Sequence, residues 1–419
     1  MENNHKHSSE SIDNFINKGS AGRRKFLQSL GLGSAAVSLL SACNNSGQSE
    51  DKKGEVIQGF EKTGESKSSK IWTPVSDRKV KVGIIGYGLC KFGAAFEFQT
   101  HPNVEIVAVS DLIPERCAGL AKAVNCSKTY PSLEELVKDD SIEAVFIATD
   151  APNHAKHAIE ALKHGKHVAC AVPAVFEHLE DADKLFEAVK QSGKKYMMFE
   201  TSCFHEPLYA MKKIYDAGGF GKLVYTEGEY YHYMDEPLES YLDWRVGLPP
   251  QYYPTHSNAY HLAVSGESFV EVSCMGMPST IAHLQAANNR YKNPFGTEIA
   301  LFRSSDGGNS RMAVSWDTPG DHGERGRVRG QLGSYYEKFE GITKDLPDTE
   351  RPPLPPAVAA GGHGGSHGRL TDEFITAILE DRTPLVNIAL ALNMTVAGIV
   401  AHHSAMKNGE LLKIPQYKI

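Results

Sequence analysis

Side chains suited to a carbohydrate ligand are concentrated between residues 233 and 262. This segment carries Arg245, then Tyr253 and His256, and then His261, among several aromatic residues. Aromatic rings offer flat apolar faces, and guanidinium and imidazole groups donate hydrogen bonds to hydroxyl groups. We expect Tyr253 and His256 to transfer protons, because phenol and imidazole groups commonly do so in active sites. We expect Arg245 and His261 to bind the ligand.

A second cluster lies in the glycine-rich run 361–368, which contains His363 and His367. Glycines let the backbone approach a ligand closely, and the two histidines offer hydrogen-bond donors or acid–base groups. We expect both histidines to contact the ligand, together with His205. The alternative for the run is a flexible linker. Two histidines without an obvious third ligand do not make a metal site, so we predict no metal.

The residues Gly86-Tyr87-Gly88 end an apolar run and begin a GxGxxG fingerprint. The third glycine of that fingerprint is displaced, because Lys91 occupies its place and Gly93 follows two residues later. The first two glycines allow a tight turn and a close approach of backbone to a pyrophosphate at the start of a helix. The turn therefore predicts a dinucleotide site, although a turn in a fold that binds no nucleotide is the alternative.

An acidic residue stands where a dinucleotide site needs one. Asp111 ends the second apolar run, 25 residues after Gly86. A carboxylate at roughly this spacing hydrogen-bonds a ribose hydroxyl, which favours NAD. Arg116 offers a stacking surface for adenine or a partner for a 2′-phosphate, so NADP stays open as the alternative cofactor.

The chain has two regions with different patterns of apolar residues, and the elements predicted there must position these side chains. Residues 79–200 alternate apolar runs with helical patterns, which predicts an α/β domain with a Rossmann, doubly wound parallel sheet. In that part we predict a helix over residues 93–101. Residues 201–419 are predicted to form a second α/β domain with a large open, mainly antiparallel sheet and terminal helices, because four segments alternate with period two. The turn Asp306-Gly307-Gly308 predicts a hairpin within that sheet.

The N-terminal segment has the features of an export signal. Arg23 and Arg24 precede a short apolar stretch that ends in Leu-Ser-Ala-Cys43. Paired arginines are typical of the twin-arginine route, and a small-residue box before a cysteine is typical of lipoproteins. We predict a signal over residues 1–43 with lipidation at Cys43, a flexible tether over residues 44–78, and a periplasmic or cell-surface location. A basic tail followed by a helix is the alternative.

Composition excludes several classes of protein. The 419 residues include 44 Lys and Arg against 51 Asp and Glu, a net charge of −7, which argues against a nucleic-acid partner. The mean hydropathy of −0.34 excludes a protein with many membrane spans. The membrane is therefore expected to be a partner only through a lipid anchor. The cysteines after Cys43 form no CxxC pair, which makes a disulfide framework or a zinc site improbable.

Several segments together resemble the Gfo/Idh/MocA oxidoreductase family, named for glucose–fructose oxidoreductase and inositol dehydrogenase. They are VGIIGYG, VAVSD with the following PER, IATDAPNHAKHAIEALKHGKHV and GGFGKLVYTEGEY. The resemblance implies an NAD(P)-binding Rossmann domain, a sugar site on the second sheet, and a sheet that often mediates oligomerisation. It also implies that His154 lies near the nicotinamide. Tyr87, Thr149 and Pro173 complete the cofactor residues that we expect.

One departure from the family pattern bears on chemistry. The family usually has Glu-Lys-Pro after GKHV, with a lysine that assists proton transfer, whereas this chain has Ala171-Val172-Pro173. Valine cannot act as acid or base. The Val-Pro-Ala sequence resembles the NAD-dependent glycosidases of the family, typified by α-N-acetylgalactosaminidase, as do YMMFE and YPTH. That branch has glutamate in place of Ala171 and tyrosine in place of Phe204.

These features together lead to a hypothesis about the reaction. An exported enzyme cannot readily reoxidise NADH that dissociates, so we expect a tightly held cofactor that is recycled within each turnover. We predict an NAD(P)-dependent oxidoreductase that acts on a sugar or glycoside. A redox-neutral NAD-dependent glycosidase or lyase is the first alternative, and a non-catalytic sugar-binding lipoprotein is the second. A homo-oligomer is plausible for either enzyme.

Overall fold

The structure is a computed structural model, and it describes residues 69–419. The predicted signal, its lipidation residue Cys43 and most of the predicted tether lie outside the described residues. The described residues contain two sheets, one of six strands and one of eight.

The first sheet is parallel throughout, as the strand–helix alternation predicts. Its strand order is β3-β2-β1-β4-β5-β6, and every neighbouring pair runs parallel. A parallel sheet covered by helices on both faces needs apolar residues at every position, and β4 is buried at all of its positions. The strands are β1 (Val80–Ile85), β2 (Val104–Ser110), β3 (Thr129–Tyr130), β4 (Ala144–Ile147), β5 (His167–Cys170) and β6 (Tyr196–Met198).

The helices of this half are α1 (Phe92–Ala95), α2 (Pro114–Ala123), α3 (Leu133–Leu136), α4 (His154–Lys163) and α5 (Leu179–Ser192). The prediction of one helix over residues 93–101 is wrong. The chain leaves the helix after α1, and Glu97 adopts a left-handed conformation with φ 63° before a short 3₁₀ turn. Phe96 and Phe98 are both buried. Two residues that are two apart cannot face the same side of an α-helix, so burying both rings ends it.

The second sheet has the strand order β13-β12-β11-β7-β10-β9-β8-β14. It is mainly antiparallel, as predicted, and the predicted hairpin joins β9 to β10 with Arg303 opposite Asn309. The pair β7 and β10 is parallel instead, because β10 is inserted between β7 and β9. The strands are β7 (Leu223–Tyr231), β8 (Phe269–Pro278), β9 (Phe295–Ser304), β10 (Asn309–Ser315), β11 (Gly323–Gly330), β12 (Gly333–Tyr335), β13 (Phe339–Gly341) and β14 (Leu412–Lys413).

The remaining helices are α6 (Glu206–Asp216), α7 (Thr255–Ser265), α8 (Gly362–Gly365), α9 (His367–Leu379) and α10 (Ile388–Ala405). Helix α7 packs between β7, α6 and α10, and it is buried from Thr255 to Val264. A helix buried on all sides must satisfy its polar side chains internally. Asn258 does so by donating to the carbonyl oxygen of Met394 at 2.8 Å.

Helix α10 is long and apolar enough to cross a membrane, but 83% of it is buried inside the fold. Within residues 69–419 it is therefore the core helix of a folded domain.

Candidate functional site

A cavity of about 400 Å³ lies at the carboxyl ends of the parallel strands. This edge is where open α/β sheets bind nucleotides. Its walls come from the turn after β1, the end of β2 and the loops after β4 and β5, and residues 239–245 from the second half also line it.

The glycine turn after β1 is shaped for close backbone contact. Gly86 has φ +100°, and a Cβ on it would lie 2.3 Å from the carbonyl oxygen of Ala148. A Cβ on Gly88, which lines the cavity, would meet nothing within 4 Å. A Cβ on Gly93 would lie 2.4 Å from the Gly86 carbonyl oxygen. The displaced glycine thus gives the close helix–strand packing that the third glycine of the fingerprint provides.

The carboxylate of Asp111 is held by two backbone amides. Its Oδ2 accepts from the N–H of Tyr87 at 2.6 Å, and its Oδ1 accepts from the N–H of Ile113 at 2.9 Å. Arg116 also lines this cavity, but its guanidinium donates to Glu239 at 2.9 Å. A carboxylate already paired with Arg116 disfavours a 2′-phosphate there. The open space above Gly88 and the oriented Asp111 therefore fit NAD better than NADP.

His154 connects the loops after β4 and β5. Its Nδ1 lies 2.8 Å from the carbonyl oxygen of Pro173, and its Nε2 lies 3.2 Å from that of Thr149. Burial lowers the pKa of His154, so the ring is neutral and its one N–H serves one of these carbonyls. Thr149, His154 and Tyr87, which are predicted to bind the cofactor, line this cavity. Pro173 is not among the lining residues, and its carbonyl acts on the site through His154.

A second, narrow cavity of about 50 Å³ adjoins the first. Arg245 and Tyr253 line both cavities, as do Ala171 and Val172. The guanidinium of Arg245 lies 4.3 Å from the ring centre of Trp244. The hydroxyl of Tyr253 donates to the carbonyl oxygen of Val172 at 3.2 Å. Two of the predicted site residues thus lie where a cofactor and a substrate would meet.

His256 lies in the second cavity between two buried carboxylates. Its Nδ1 is 2.7 Å from Oε1 of Glu200 and 3.7 Å from Oε1 of Glu324. Both ion pairs use Nδ1, and Thr201 Oγ1 is a third neighbour of that nitrogen at 3.3 Å. Nε2 is therefore the ring nitrogen left to face a ligand.

The two carboxylates change the protonation of His256. Burial disfavours its charged form, but the charges of Glu200 and Glu324 and the hydrogen bond to Glu200 outweigh burial and raise the pKa to about 9. For Glu324, burial is outweighed by the charges of His256, His205 and His363, which lower its pKa. At neutral pH His256 is therefore an imidazolium, which donates protons.

Neither carboxylate was among the predicted site residues. Glu200 follows β6 at the end of an apolar run and is completely buried. A carboxylate within such an apolar run is the signal that the sequence offers. Glu324 begins β11 within GERGRVRG, a segment whose charges are typical of an exposed strand. Nothing in that segment indicates a site, because only the pairing of β11 with β7 brings Glu324 to His256.

The pKa of His256 predicts how stability depends on pH. A histidine whose folded pKa is about 9 and whose unfolded pKa is about 6.5 stabilises the fold fully below the lower value. We expect this contribution, up to roughly 3 kcal/mol, to be lost as the pH rises from about 6.5 through 9. Urea unfolding at pH 6.5 and at pH 9.5 measures it. The loss should be smaller in His256→Asn, and an equal loss in that variant would contradict the assignment.

The glycine-rich run holds a histidine pair at the second cavity. His363 lines this cavity, and its Nδ1 lies 2.8 Å from Nε2 of His367. His367 is buried, with its Nδ1 3.0 Å from the carbonyl oxygen of Ala95 and its ring stacked on Phe96. Both nitrogens of His367 are engaged and it lines neither cavity, so the structure does not bring it to the ligand position that the sequence predicts.

Two other predicted ligand residues lie elsewhere. His261 contacts Thr226 Oγ1 at 3.1 Å, stacks on Phe269, and lines neither cavity. Five residues along a helix turn the side chain by about 140°, so His261 and His256 point in different directions. His205 lines neither cavity, and its Nε2 lies 3.4 Å from Oε2 of Glu324. The structure therefore does not bring His261 or His205 to the predicted ligand position.

His232 lines the second cavity, and the prediction from sequence omits it. It directly follows β7, and burial lowers its pKa to about 4. Among the described residues its Nδ1 has no hydrogen-bond partner.

A candidate metal set also lies here. The donor atoms of Glu200, His256 and Glu324 lie within 4.8 Å of one another. The 2.7 Å contact between His256 and Glu200 has the length of a charge-assisted hydrogen bond, so a proton already joins those two ligand atoms. The absence of a metal stays a prediction.

Comparisons with known proteins match the first part of the described residues to a known family. Residues 80–200 match the profile of the Gfo/Idh/MocA family, an oxidoreductase family with an NAD-binding Rossmann fold. A glycosyl hydrolase family 109 protein 1 of Bacteroides fragilis is 34% identical over 186 residues, which cover 42% of this chain and 40% of the relative. The inositol 2-dehydrogenase 3 of Saccharopolyspora erythraea is 32% identical over 144 residues, 34% of this chain and 42% of that protein.

The chain thus spans about two fifths of the length of the curated relatives it matches. Among solved structures, levoglucosan dehydrogenase in complex with NADH and levoglucosan superposes with a TM-score of 0.67 at 19% identity. It covers 81% of this chain and 100% of the other. At this identity the likeness shows the fold, including both sheets.

Proposed function

We propose that the protein acts on a sugar or glycoside with a tightly held, internally recycled NAD. The proposal starts from residues 80–200, which match the NAD-binding Rossmann profile of the Gfo/Idh/MocA oxidoreductase family. The observation that supports this most is the meeting of the two cavities at Ala171, Val172, Arg245 and Tyr253. One cavity has the glycine turn and Asp111, and the other has a charged His256. When bound, NAD supplies hydride acceptance and return.

A redox-neutral glycosidase is the second candidate. It is favoured by the curated relatives named glycosyl hydrolase family 109 and by Val172, which replaces the proton-transferring lysine of the dehydrogenases. In that reaction a ring carbon becomes a ketone, the neighbouring C–H becomes acidic, and the glycosidic oxygen is eliminated. Water then adds and the ketone is reduced again. Family 4 glycosidases, which depend on NAD, show that such departures from two-carboxylate hydrolysis exist.

The residues present suit either reaction. The His256 imidazolium donates a proton to a leaving or carbonyl oxygen from Nε2, while Glu200 orients the ring through Nδ1. Arg245 offers hydrogen bonds to hydroxyl groups at the junction of the cavities, held there by stacking on Trp244. Tyr253 keeps its proton, because burial raises its pKa.

The test is to purify the full protein gently, release any nucleotide with acid, and identify it by mass. The protein is then assayed with 4-nitrophenyl glycosides and with free sugars while absorbance at 340 nm is followed. Bound NAD with glycoside cleavage and no net NADH supports the glycosidase. A nicotinamide absorbance change with a free sugar supports the oxidoreductase. Protein without any nucleotide would contradict both and would favour a sugar-binding protein.

We propose that the outer face of the second sheet forms a homo-oligomer contact. Met275, Met277, Ile299 and Leu301 are large apolar side chains that lie exposed on neighbouring strands β8 and β9. An apolar patch of this kind is typical of an interaction surface. We expect Leu301→Asp to lower the molar mass in light scattering to that of one chain. A wild-type protein that is already monomeric at micromolar concentration would contradict this.

We also propose export by the twin-arginine route and anchoring at Cys43, which lies outside the described residues. The support is the sequence pattern around Arg23, Arg24 and Cys43. In a bacterium with this route, we expect the wild type in the membrane fraction and Cys43→Ala released from it. Equal membrane recovery of both would contradict the anchor.

A further inference from the structure

This inference rests on the proposed function, in which an alcohol of the sugar is oxidised. Oxidation of an alcohol needs a group that accepts the hydroxyl proton. His256 is already protonated at neutral pH, and Tyr253 holds its phenol proton. Val172 occupies the position of the family's lysine and accepts none. None of these three side chains therefore accepts the hydroxyl proton.

A hydrogen-bond chain fixes where such a proton can go. The carbonyl oxygen of Ala95 only accepts, so His367 must donate to it from Nδ1. Burial, followed by the charge of His363, lowers the pKa of His367 well below its usual range, so that ring carries one proton. Its Nε2 therefore accepts, and Nδ1 of His363 must be the donor at 2.8 Å. In this tautomer, Nε2 is the nitrogen of His363 whose lone pair can accept a proton.

The backbone around His363 is held in an unusual conformation. His363 has φ 46° and ψ 63°, and Gly364 has φ 63°. A Cβ on Gly364 would lie 2.9 Å from the His205 ring, and a Cβ on Gly361 would lie 2.7 Å from Cβ of His367. A non-glycine residue in this region costs free energy that the surroundings must offset, and such residues cluster at active sites. The glycines are thus required to hold this histidine against its neighbours.

His363 and His256 line the same cavity. The ring centre of His363 lies 6.4 Å from that of His256, at 21° between the planes. Glu324 lies close enough to feel the charge of His363 as well as that of His256. Glu200 and Glu324 bring two negative charges to a site where His256 brings one positive charge.

We propose that His363 is the general base of the reaction and that its Nε2 takes the substrate hydroxyl proton. The O–H bond breaks and gives its proton to Nε2, and its electron pair forms the C=O bond. The C–H bond breaks and its hydrogen leaves with both electrons, as hydride transfer to NAD requires. In the return step, the same nitrogen gives the proton back to the oxygen. His367 is a positioning residue that acts through Nδ1 of His363.

His232 is the third histidine that lines this cavity, beside His256 and His363, and burial lowers its pKa to about 4. Among the described residues, no hydrogen bond to its Nδ1 selects a tautomer. With a pKa of about 4 it is also a weak base. His363 is therefore the stronger candidate, because its contact with His367 fixes its tautomer.

The main test is His363→Gly, because glycine tolerates the left-handed conformation and leaves space for a small base. We expect kcat with the substrate found in the screen above to fall by about 10²–10⁴-fold, with the same amount of NAD bound. Adding imidazole should restore kcat at least tenfold. The matched control is His164→Gln, an exposed histidine at the end of α4. A kcat within threefold of the wild type, or a loss that imidazole does not restore, would overturn the proposal.

A second test needs no turnover. In protein labelled with ¹⁵N-histidine, the ring resonances that disappear in His363→Gly should show a protonated Nδ1 and an unprotonated Nε2 at pH 8. The opposite tautomer would overturn the chain. His367→Gln keeps an acceptor for Nδ1 of His363, so it should retain more activity than His367→Leu. In His367→Leu the acidic limb of the kcat/KM pH profile should also move. A wild type inactive on every probe would count against the proposed function, whereas an active His363→Gly counts only against His363.

Discussion

His256→Asn is expected to lower kcat by about 10²–10⁴-fold, with the bound NAD retained. The reason is that His256 is the charged proton donor of the second cavity, oriented by Glu200 through a 2.7 Å hydrogen bond. Asparagine keeps a polar group of similar reach but cannot carry the proton. Steady-state kinetics with the substrate from the screen and nucleotide content by mass measure the two effects separately.

The same substitution leaves two buried carboxylates without their cation. Removing one partner of a buried ion pair costs about 3–5 kcal/mol, so stability must be measured beside activity. His261→Asn is the matched control, because His261 is an equally buried histidine of α7 that lines neither cavity. We expect it to lower stability and to leave kcat within threefold. Equal losses of kcat in both variants would show that His256 acts only through stability.

Glu200→Gln provides a finer test of the same site. It keeps the size of the side chain but removes one of the two charges that raise the pKa of His256. We expect the basic limb of the pH–rate profile to move toward lower pH, because the imidazolium then loses its proton more easily. A basic limb that does not move would show that another group limits the rate at high pH.

Gly86→Ala is expected to abolish NAD binding and to lower the free energy of unfolding by more than about 2 kcal/mol. A Cβ at this position would lie 2.3 Å from a backbone oxygen, and its φ of +100° is strained for any other residue. Because the turn directly follows β1 and lines the first cavity, we expect both stability and NAD binding to decrease. Chemical unfolding and nucleotide content by mass measure both.

Two other glycines separate these effects. Gly88 lines the cavity and has space for a Cβ, so Gly88→Ala should change stability little and weaken NAD binding. Gly193 ends α5 with φ 64° and also has space, so Gly193→Ala should cost about 1 kcal/mol and leave NAD binding unchanged. If Gly86→Ala behaves like Gly193→Ala, the turn is not required for the cofactor.

The sequence alone was sufficient for features that depend on neighbours along the chain. Strand and helix periodicity predicted both sheets, because burial of one face is imposed residue by residue. The turn at Gly86 and Gly88 and the carboxylate of Asp111 were predictable for a second reason, because parallel strands bring their carboxyl ends to one edge of the sheet. The helix predicted over 93–101 failed where tertiary burial of Phe96 and Phe98 outweighed local preference.

The candidate site depends on contacts that no local pattern specifies. Glu200, His256 and Glu324 are brought together from the end of β6, from α7 and from β11, and the hydrogen bond between His256 and Glu200 joins residues 56 positions apart. His256 and His261 share a helix, yet only the packing of α7 decided that one faces a cavity and the other the core. Local sequence specifies side-chain type and direction along an element. The distance between charges, and so the protonation of His256, is decided by how the elements pack.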